Sequence, residues 1–483
     1  MNEKNTQTKI AIVGGGVAGA TAALYFGKMG LDITLFEKES SLVSGPPFCH
    51  LHAGGNLYRE ISDTQCVTLL KQSIDFLRFY PYIVDYRPTV IVLPATDKST
   101  PEALLPRLDL LTKEYETLIQ SDAENEVLGK SENYYKVFSK EEIENLKHKD
   151  IVKNPSSCEE WMIPVAQNID LEKVQFPLIM VQEYGLNLFR LAAGTALELE
   201  AMQNVQLHTQ SIVHNVQKNC DAQGWVLSYV KENKSHQEHF DYLINAAGFR
   251  TGKIDDFIGA PCEAMVEFKA AYVSQWYDHN NIKFPEIIFH GERGTPQGMG
   301  QFTPYPNGYF QLHGMTKEIT LYEDGLVANS AVSCQPKLGQ DFIDKIENDW
   351  KEEETIKRTH AAIKHLSQFI PSFSTAHVGS RPLFGAQQIP GADPTLRVAE
   401  VSFPKERYAR CEIVKVSSVL DMCDAISKEF MALGYIEQNM VGKRVFVRVL
   451  DIDDVIFTKR AESIAKARLY PEVLANRTVP TKN

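Results

Sequence analysis

The chain has 483 residues, 43% of them hydrophobic, enough to bury a large core and to fill two or three packed modules. Its formal net charge of −12 argues against nucleic acid as a partner, because phosphate binding needs a basic surface. No apolar run approaches the length of a membrane span, although peripheral contact with a membrane stays open. The polar first eight residues lack the apolar core of a signal peptide. The eight cysteines (Cys49, Cys66, Cys158, Cys220, Cys262, Cys334, Cys411, Cys423) are scattered without a C-x-x-C pair. That predicts reduced thiols, a cytoplasmic location and no metal site.

Residues 10–37 read IAIVGGGVAGATAALYFGKMGLDITLFE. They predict a buried strand (Ile10 to Val13), a glycine turn, a helix to about Met29 and a second strand ending on Glu37. The glycines fall at Gly14, Gly16 and Gly19, the G-x-G-x-x-G spacing. Gly14 permits the tight turn, Gly16 lets backbone approach a pyrophosphate, and Gly19 lets helix pack on strand. The helix N-terminus then directs free N–H groups and the positive end of its dipole at the phosphates. Glu37 stands where a carboxylate accepts both ribose hydroxyls, which favours FAD or NAD over a 2′-phosphorylated nucleotide.

After about residue 60 the pattern changes. Residues 61–174 mix amphipathic helix with charged loop and read as a solvated helical insertion. A helix near Leu186 to Met202 follows, then short strands around Val205, Leu207, Ile212, Val213 and Val216. The strand Tyr242 to Ala246 runs into Asn-Ala-Ala-Gly, 245–248. Residues 262–335 read as antiparallel strands, with a hairpin at Pro306-Asn307-Gly308. Helix is expected from about Phe342 to Phe369, a strand at Leu396 to Val401 and a helix at Ser417 to Leu433. Beyond residue 434 come an apolar strand, Val445 to Leu450, and a mixed-charge helix suited to packing or to a homo-oligomer contact.

Four segments, in order, resemble the D-amino-acid oxidase superfamily of FAD-dependent oxidoreductases. They are the glycine fingerprint with Glu37, INAAGFRTGKI (Ile244 to Ile254), TPYPNGYFQLHG (Thr303 to Gly314) and GSRPLFGAQQIPG (Gly379 to Gly391). The resemblance implies an α/β fold with a glutathione-reductase-type FAD-binding Rossmann domain built from discontinuous segments, 8–60, 175–250 and 375–434. An antiparallel-sheet substrate domain, 255–374, and a C-terminal extension, 435–483, complete it. It implies FAD as cofactor and removal of a hydride from the carbon of a small amino or hydroxy acid, with electrons passed to oxygen, a quinone or another acceptor. The chain departs from the pattern between Phe403 and Ile426, where the usual glycine-rich turn is absent. Two other readings share the fingerprint: an FAD-dependent monooxygenase or halogenase, and a nonenzymatic dinucleotide-binding protein.

The resemblance implies cofactor contacts at Gly14, Gly16, Gly19, Glu37, Val213, Ala247 and Gly248. The loop SGPPFCHLHAGGNLYRE (Ser44 to Glu60) suits a chain pressed against a flat ligand, and its His52 is expected beside the flavin. A carboxylate substrate needs a cation, and arginine offers a planar bidentate fork. Arg381 is the first candidate, with Arg250 and Arg293 behind it. His313 is a candidate base, and Tyr305 and Tyr309 flank the same turn.

Overall fold

The structure, a computed structural model, describes residues 8–47, 51, 61–219, 223–279, 281–394, 396 and 401–481. His52 and most of the strand expected at Leu396 to Val401 lie outside the described residues.

The nucleotide layer is a six-stranded sheet. Its order is Val401–Lys405, Tyr408–Cys411, Tyr242–Asn245, Lys9–Val13, Asp32–Phe36, Val205–His208. All neighbours pair in parallel except Val401–Lys405 with Tyr408–Cys411. Parallel strands are covered on both faces, which is why Lys9–Val13 and Tyr242–Asn245 read as near-continuous apolar runs. One face, carrying Ile10, Ile12, Ile33 and Ile244, packs against helices Val17–Lys28, Leu188–Glu200 and Val419–Ala432. The Val17–Lys28 helix is alanine-rich and buried from Ala18 to Gly27, so it has no solvent face to mark with charge. The other face, carrying Ala11, Val13, Phe36 and Leu243, packs on Val216, Trp225, Leu227 and Tyr229. Those residues belong to an antiparallel meander of Ser211–Lys218, Trp225–Lys231 and Lys234–Phe240.

Facing this layer is a nine-stranded mixed sheet. Its longest strand but one, Ala264–Gln275, is buried on both faces and divides its side chains between two cores. Phe268, Ala270 and Tyr272 join Phe302, Phe310, Leu312 and Phe289 in a core under helix Glu352–Leu366. Val273, Tyr305, Leu383, Ile179 and Val181 instead join the core of the nucleotide layer. The Asn-Gly hairpin is present between Gly300–Pro304 and Tyr309–Gly314, with Asn307 at φ 59° and Gly308 at φ 70°. Those left-handed central residues match the right-handed twist of the flanking strands.

Three segments take other places than the sequence suggests. The charged stretch 61–174 forms helices Asp63–Phe79 and Leu105–Ser121, but it also supplies strands Thr89–Val92 and Tyr135–Phe138 to the large sheet. Thr89–Val92 pairs in parallel with Glu286–Phe289, which makes the sheet mixed rather than purely antiparallel. Four-residue apolar runs carry too little period to separate strand from buried helix. The strand His377–Pro390, expected within the nucleotide domain, pairs along Ala264–Gln275 and so belongs to the large sheet. Residues 445–450 form no strand: Val447 is 77% exposed, and the segment is irregular. Phe446 packs inward, under the guanidinium of Arg78.

The helix Asp454–Ala467 buries Phe457, Ala461, Ile464 and Ala465 against Leu188–Glu200, and Phe457 stacks on Tyr82 at 4.8 Å. Beyond it, Asp85 accepts the N–H groups of Thr478 (3.0 Å) and Val479 (2.7 Å). Part of the apolar surface of the C-terminal extension is therefore packed within the chain, while Val455 and Ile456 stay exposed.

Candidate active site

Gly14 (φ 103°) sits against the end of the neighbouring strand, and a Cβ there would lie 2.4 Å from the Ala246 carbonyl oxygen. At Gly19 a Cβ would meet the Gly14 oxygen at 1.9 Å, so helix and turn touch through bare backbone. Gly16 is the opposite case. Nothing lies within 4 Å of its Cβ position, and it is the N-cap of the Val17–Lys28 helix with no side chain capping it. That open space beside an uncapped helix N-terminus is where an anion fits.

Glu37 is buried at the end of its strand. One carboxylate oxygen accepts the Gly15 N–H at 2.6 Å and the other the Glu39 N–H at 2.7 Å. Burial pushes its carboxyl above the usual range, and the two N–H groups pull it back in part. Each oxygen retains a second lone pair for a ribose hydroxyl. Ser211 donates its N–H to the Glu37 carbonyl at 2.8 Å, which starts the strand carrying half-buried Val213 beside the acid. On the other side, Ala246 donates its N–H to Val13 O, and Gly248 (φ 59°) has open space around its Cβ position.

Sequence reasoning did not find what holds that turn. The buried Asn245 donates to the Thr251 carbonyl (2.9 Å) and the Tyr408 hydroxyl (2.7 Å). Tyr408 in turn donates to Asp255 (2.6 Å), whose carboxylate lies 3.4 Å from Arg410. A buried polar chain of this kind is visible only once distant strands pair.

The large sheet presents a polar patch on its face toward the nucleotide layer. Arg87 and Glu286 form a buried ion pair at 2.5 Å, and Glu286 also accepts from Gln301 (2.5 Å) and Thr303 (3.2 Å). Tyr305 donates to Gln311 at 3.2 Å. His313 is half-buried in register with Gln301, and Tyr309 is half-buried at the same hairpin.

Arg381 stands where His377–Pro390 slips register against its partner strand. Its guanidinium lies 3.8 Å from the exposed Asp349 carboxylate and over the rings of Phe384 and Tyr470, at 5.1 and 5.7 Å. Its buried Nε has no hydrogen-bond partner. It opens onto a cleft of about 660 Å³ with Trp350, His360, His377, Ser380 and Leu469. The other two arginines are ion-paired, Arg250 with Glu347 and Arg293 with Glu267. Ser380 and Gln311 are both register partners of Val273, from opposite sides. The chain segments bearing Arg381 and His313 are thus two strand spacings apart, about 10 Å.

The family model of the FAD dependent oxidoreductases (DAO) matches residues 9–148. Over those residues the chain is similar to the DAO family of FAD-dependent oxidoreductases. Among curated protein sequences no match is found. The fold is similar to that of glycine oxidase from Geobacillus kaustophilus, with a TM-score of 0.54, 11% identity, and coverage of 89% of this chain and 95% of that one. L-proline dehydrogenase from P. horikoshii gives a TM-score of 0.53 at 13% identity, over 89% and 95% of the two chains. L-alpha-glycerophosphate oxidase from Mycoplasma pneumoniae, with FAD bound, gives 0.54 at 15% identity, over 90% and 98%. The residues present fit the cofactor of this family: an open cradle at Gly16, an uncapped helix N-terminus and a buried acid at Glu37. Among the described residues no helix is long and apolar enough to cross a membrane, and no cluster suits a metal ion.

Proposed function

We propose that this flavoenzyme oxidises a small amino or hydroxy acid whose carboxylate is held by Arg381. The observation that carries the reading is the state of that guanidinium. It is mostly buried, one N–H is unpartnered, and its only ion-pair partner among the described residues is an exposed carboxylate at 3.8 Å. An incoming carboxylate would displace Asp349 and gain a bidentate pair. The solved relatives act on small molecules of this size: their names specify glycine, L-proline and glycerophosphate.

Bound FAD supplies the acceptor for the substrate's hydride. Gly16 leaves room for its diphosphate beside the turn that Gly14 and Gly19 hold tight, Glu37 takes its ribose, and Val213, Ala247 and Gly248 border its adenine side. His313 is the proposed base, because it lies on the sheet face that turns toward the nucleotide layer.

The test is a screen of amino and hydroxy acids for substrate-dependent dye reduction, with and without oxygen, followed by Arg381→Lys. A lysine cannot make the bidentate pair, so kcat/KM should fall by about 2–3 kcal/mol, roughly 30- to 150-fold. An unchanged kcat/KM would remove Arg381 from the site. Reduction by no carboxylate would overturn the substrate class.

A further inference from the structure

The segment that follows helix Asp454–Ala467 lies outside the resemblance of the sequence to its family, yet it reaches the glycine turn. Arg468 caps that helix, and Leu469, at φ 60°, turns the chain back. The guanidinium of Arg468 then inserts against residues 41–43. Its Nε donates to Ser41 Oγ at 3.1 Å, Nη1 to the Val43 carbonyl at 3.0 Å, and Nη2 to Ser41 Oγ at 2.9 Å and the Leu42 carbonyl at 2.5 Å. One Nη1 hydrogen of the five N–H groups is left over.

Residues 41–43 form the layer that covers the glycine turn. Val43 donates its N–H to the Gly15 carbonyl at 2.9 Å, and a Cβ on Gly15 would lie 2.6 Å from Leu42 Cδ2. Every acceptor around Arg468 is neutral, and no carboxylate among the described residues lies within ion-pair reach of it. Burial pushes its guanidinium down to about 10, with only the more distant fields of Tyr470, Glu37 and Glu39 opposing. A buried cation without a counter-anion is costly, and chains retain one where a ligand supplies the missing charge.

We propose that Arg468 is a cofactor-binding residue contributed by the C-terminal extension: it supplies the positive charge that balances the FAD diphosphate across the 41–43 loop. The anion fits because the 41–43 loop rests on Gly15, the neighbour of the open position at Gly16, and the uncapped helix carries only partial charge. This rests on the placement of FAD at the glycine turn. It adds a full charge to a site whose motif supplies backbone N–H groups alone. Tyr470, two residues on, donates to the Pro382 carbonyl at 2.7 Å, so the same segment ties the cofactor loop to the Arg381 strand.

The experiment uses the full chain stripped of FAD, with Arg468→Gln and Arg468→Lys beside the parent. FAD, ADP and adenosine are titrated separately by calorimetry. Arg468→Gln should weaken FAD and ADP at least tenfold and leave adenosine within threefold, because only the first two carry the diphosphate. Arg468→Lys keeps the charge but cannot reproduce the fork to Ser41, Leu42 and Val43, and should recover most of the ADP affinity. The ligand-free Gln variant should melt no lower than the parent, since an uncompensated buried charge has gone. Unchanged ADP affinity in the Gln variant, or equal losses of ADP and adenosine, would make Arg468 a structural tie and overturn the proposal. So would a Lys variant that binds ADP at least tenfold more weakly than the parent, an outcome that also decides the matter should the Gln variant fail to fold. Gly16→Val separates the two levels: retention of FAD there would refute the placement of the cofactor itself. Loss of FAD there with full ADP binding in Arg468→Gln would refute only the role of Arg468.

Discussion

Residues 10–37 bring strand, turn, helix and acid together in one contiguous stretch, whereas the sheet facing them draws strands from 89–92, 135–138, 178–181, 264–328 and 377–390. The two regions also cohere differently. The glycine turn is held by backbone packed on backbone, with Gly19 against Gly14 and Gly14 against Ala246. The large sheet has an aromatic face sealed by helices and a second face where Arg87, Glu286, Gln301 and Thr303 are buried together. Close packing of small residues shows in sequence as a motif with fixed spacing. A buried polar network shows only after the chain has folded, because its members lie up to about two hundred residues apart.

The largest effect should come from the network. Glu286→Ala would remove the closer of the two carboxylates paired with Arg87, leaving Asp85 at 3.5 Å, and would take an acceptor from Gln301 and Thr303. Breaking a buried pair by removing one partner costs about 3–5 kcal/mol. Urea unfolding of the variant measures it. A loss under about 1 kcal/mol would mean that the second face of the sheet is held by apolar packing after all, and the contrast with the glycine turn would disappear.

The glycine turn gives a smaller and more selective result. Alanine at Gly19 gains up to about 1 kcal/mol of helix propensity. It also drives a methyl to 1.9 Å from backbone that cannot rotate away. Overpacking costs about 1–3 kcal/mol, so the variant should be destabilised overall. At Gly16 the Cβ of a valine meets no protein atom within 4 Å. The FAD-free form of Gly16→Val should unfold within about 0.5 kcal/mol of the parent, as expected for a substitution whose Cβ touches nothing. It should nevertheless fail to retain flavin, checked by the absorbance of the purified protein. If the two variants behaved alike, Gly16 and Gly19 would share one structural role.

The same contrast explains how much was legible in advance. Gly14, Gly16, Gly19 and Glu37 could be named because each is a residue type that the local turn requires, at a spacing that geometry fixes. The Asn307-Gly308 hairpin was legible for the same reason. The strands Thr89–Val92 and Leu178–Val181 were not, because a short apolar run carries no period. The fourteen-residue strand His377–Pro390 joins the large sheet and not the nucleotide layer, and nothing local in its sequence says which partner it will take. Val445 to Leu450 looks like a strand by composition, but Arg444 pins that stretch by pairing with Asp75, Asp421 and Asp424, and Val447 faces solvent. Arg468 carried no signal at all: it is one arginine in a mixed-charge tail, and only the folded chain places it over the glycine turn.

The smallest expected effect concerns Glu37, where the two modes of cohesion meet: a charged group inside the closely packed layer. Burial raises its carboxyl above the ordinary value of 4.5, and the N–H groups of Glu39 and Gly15 lower it by less. The folded chain without FAD therefore holds this proton to higher pH than the unfolded chain does. A group of that kind contributes stability below its unfolded pKa, and the contribution is lost as pH rises through the folded value. The FAD-free protein should accordingly lose stability from this residue between the ordinary carboxylate range and neutral pH. In Glu37→Gln that slope is absent. The carboxamide oxygen can accept from only one of the two N–H groups at full strength, so the variant has its own pH-independent cost of about 1 kcal/mol. The informative quantity is thus the change in urea midpoint between pH 4 and pH 8, compared between parent and variant, and not the midpoint at either pH. A flatter profile in Glu37→Gln, together with weaker FAD binding, is the expected result. Identical slopes would mean that the two backbone N–H groups fully offset burial, and that the acid sits in the nucleotide layer at no electrostatic cost.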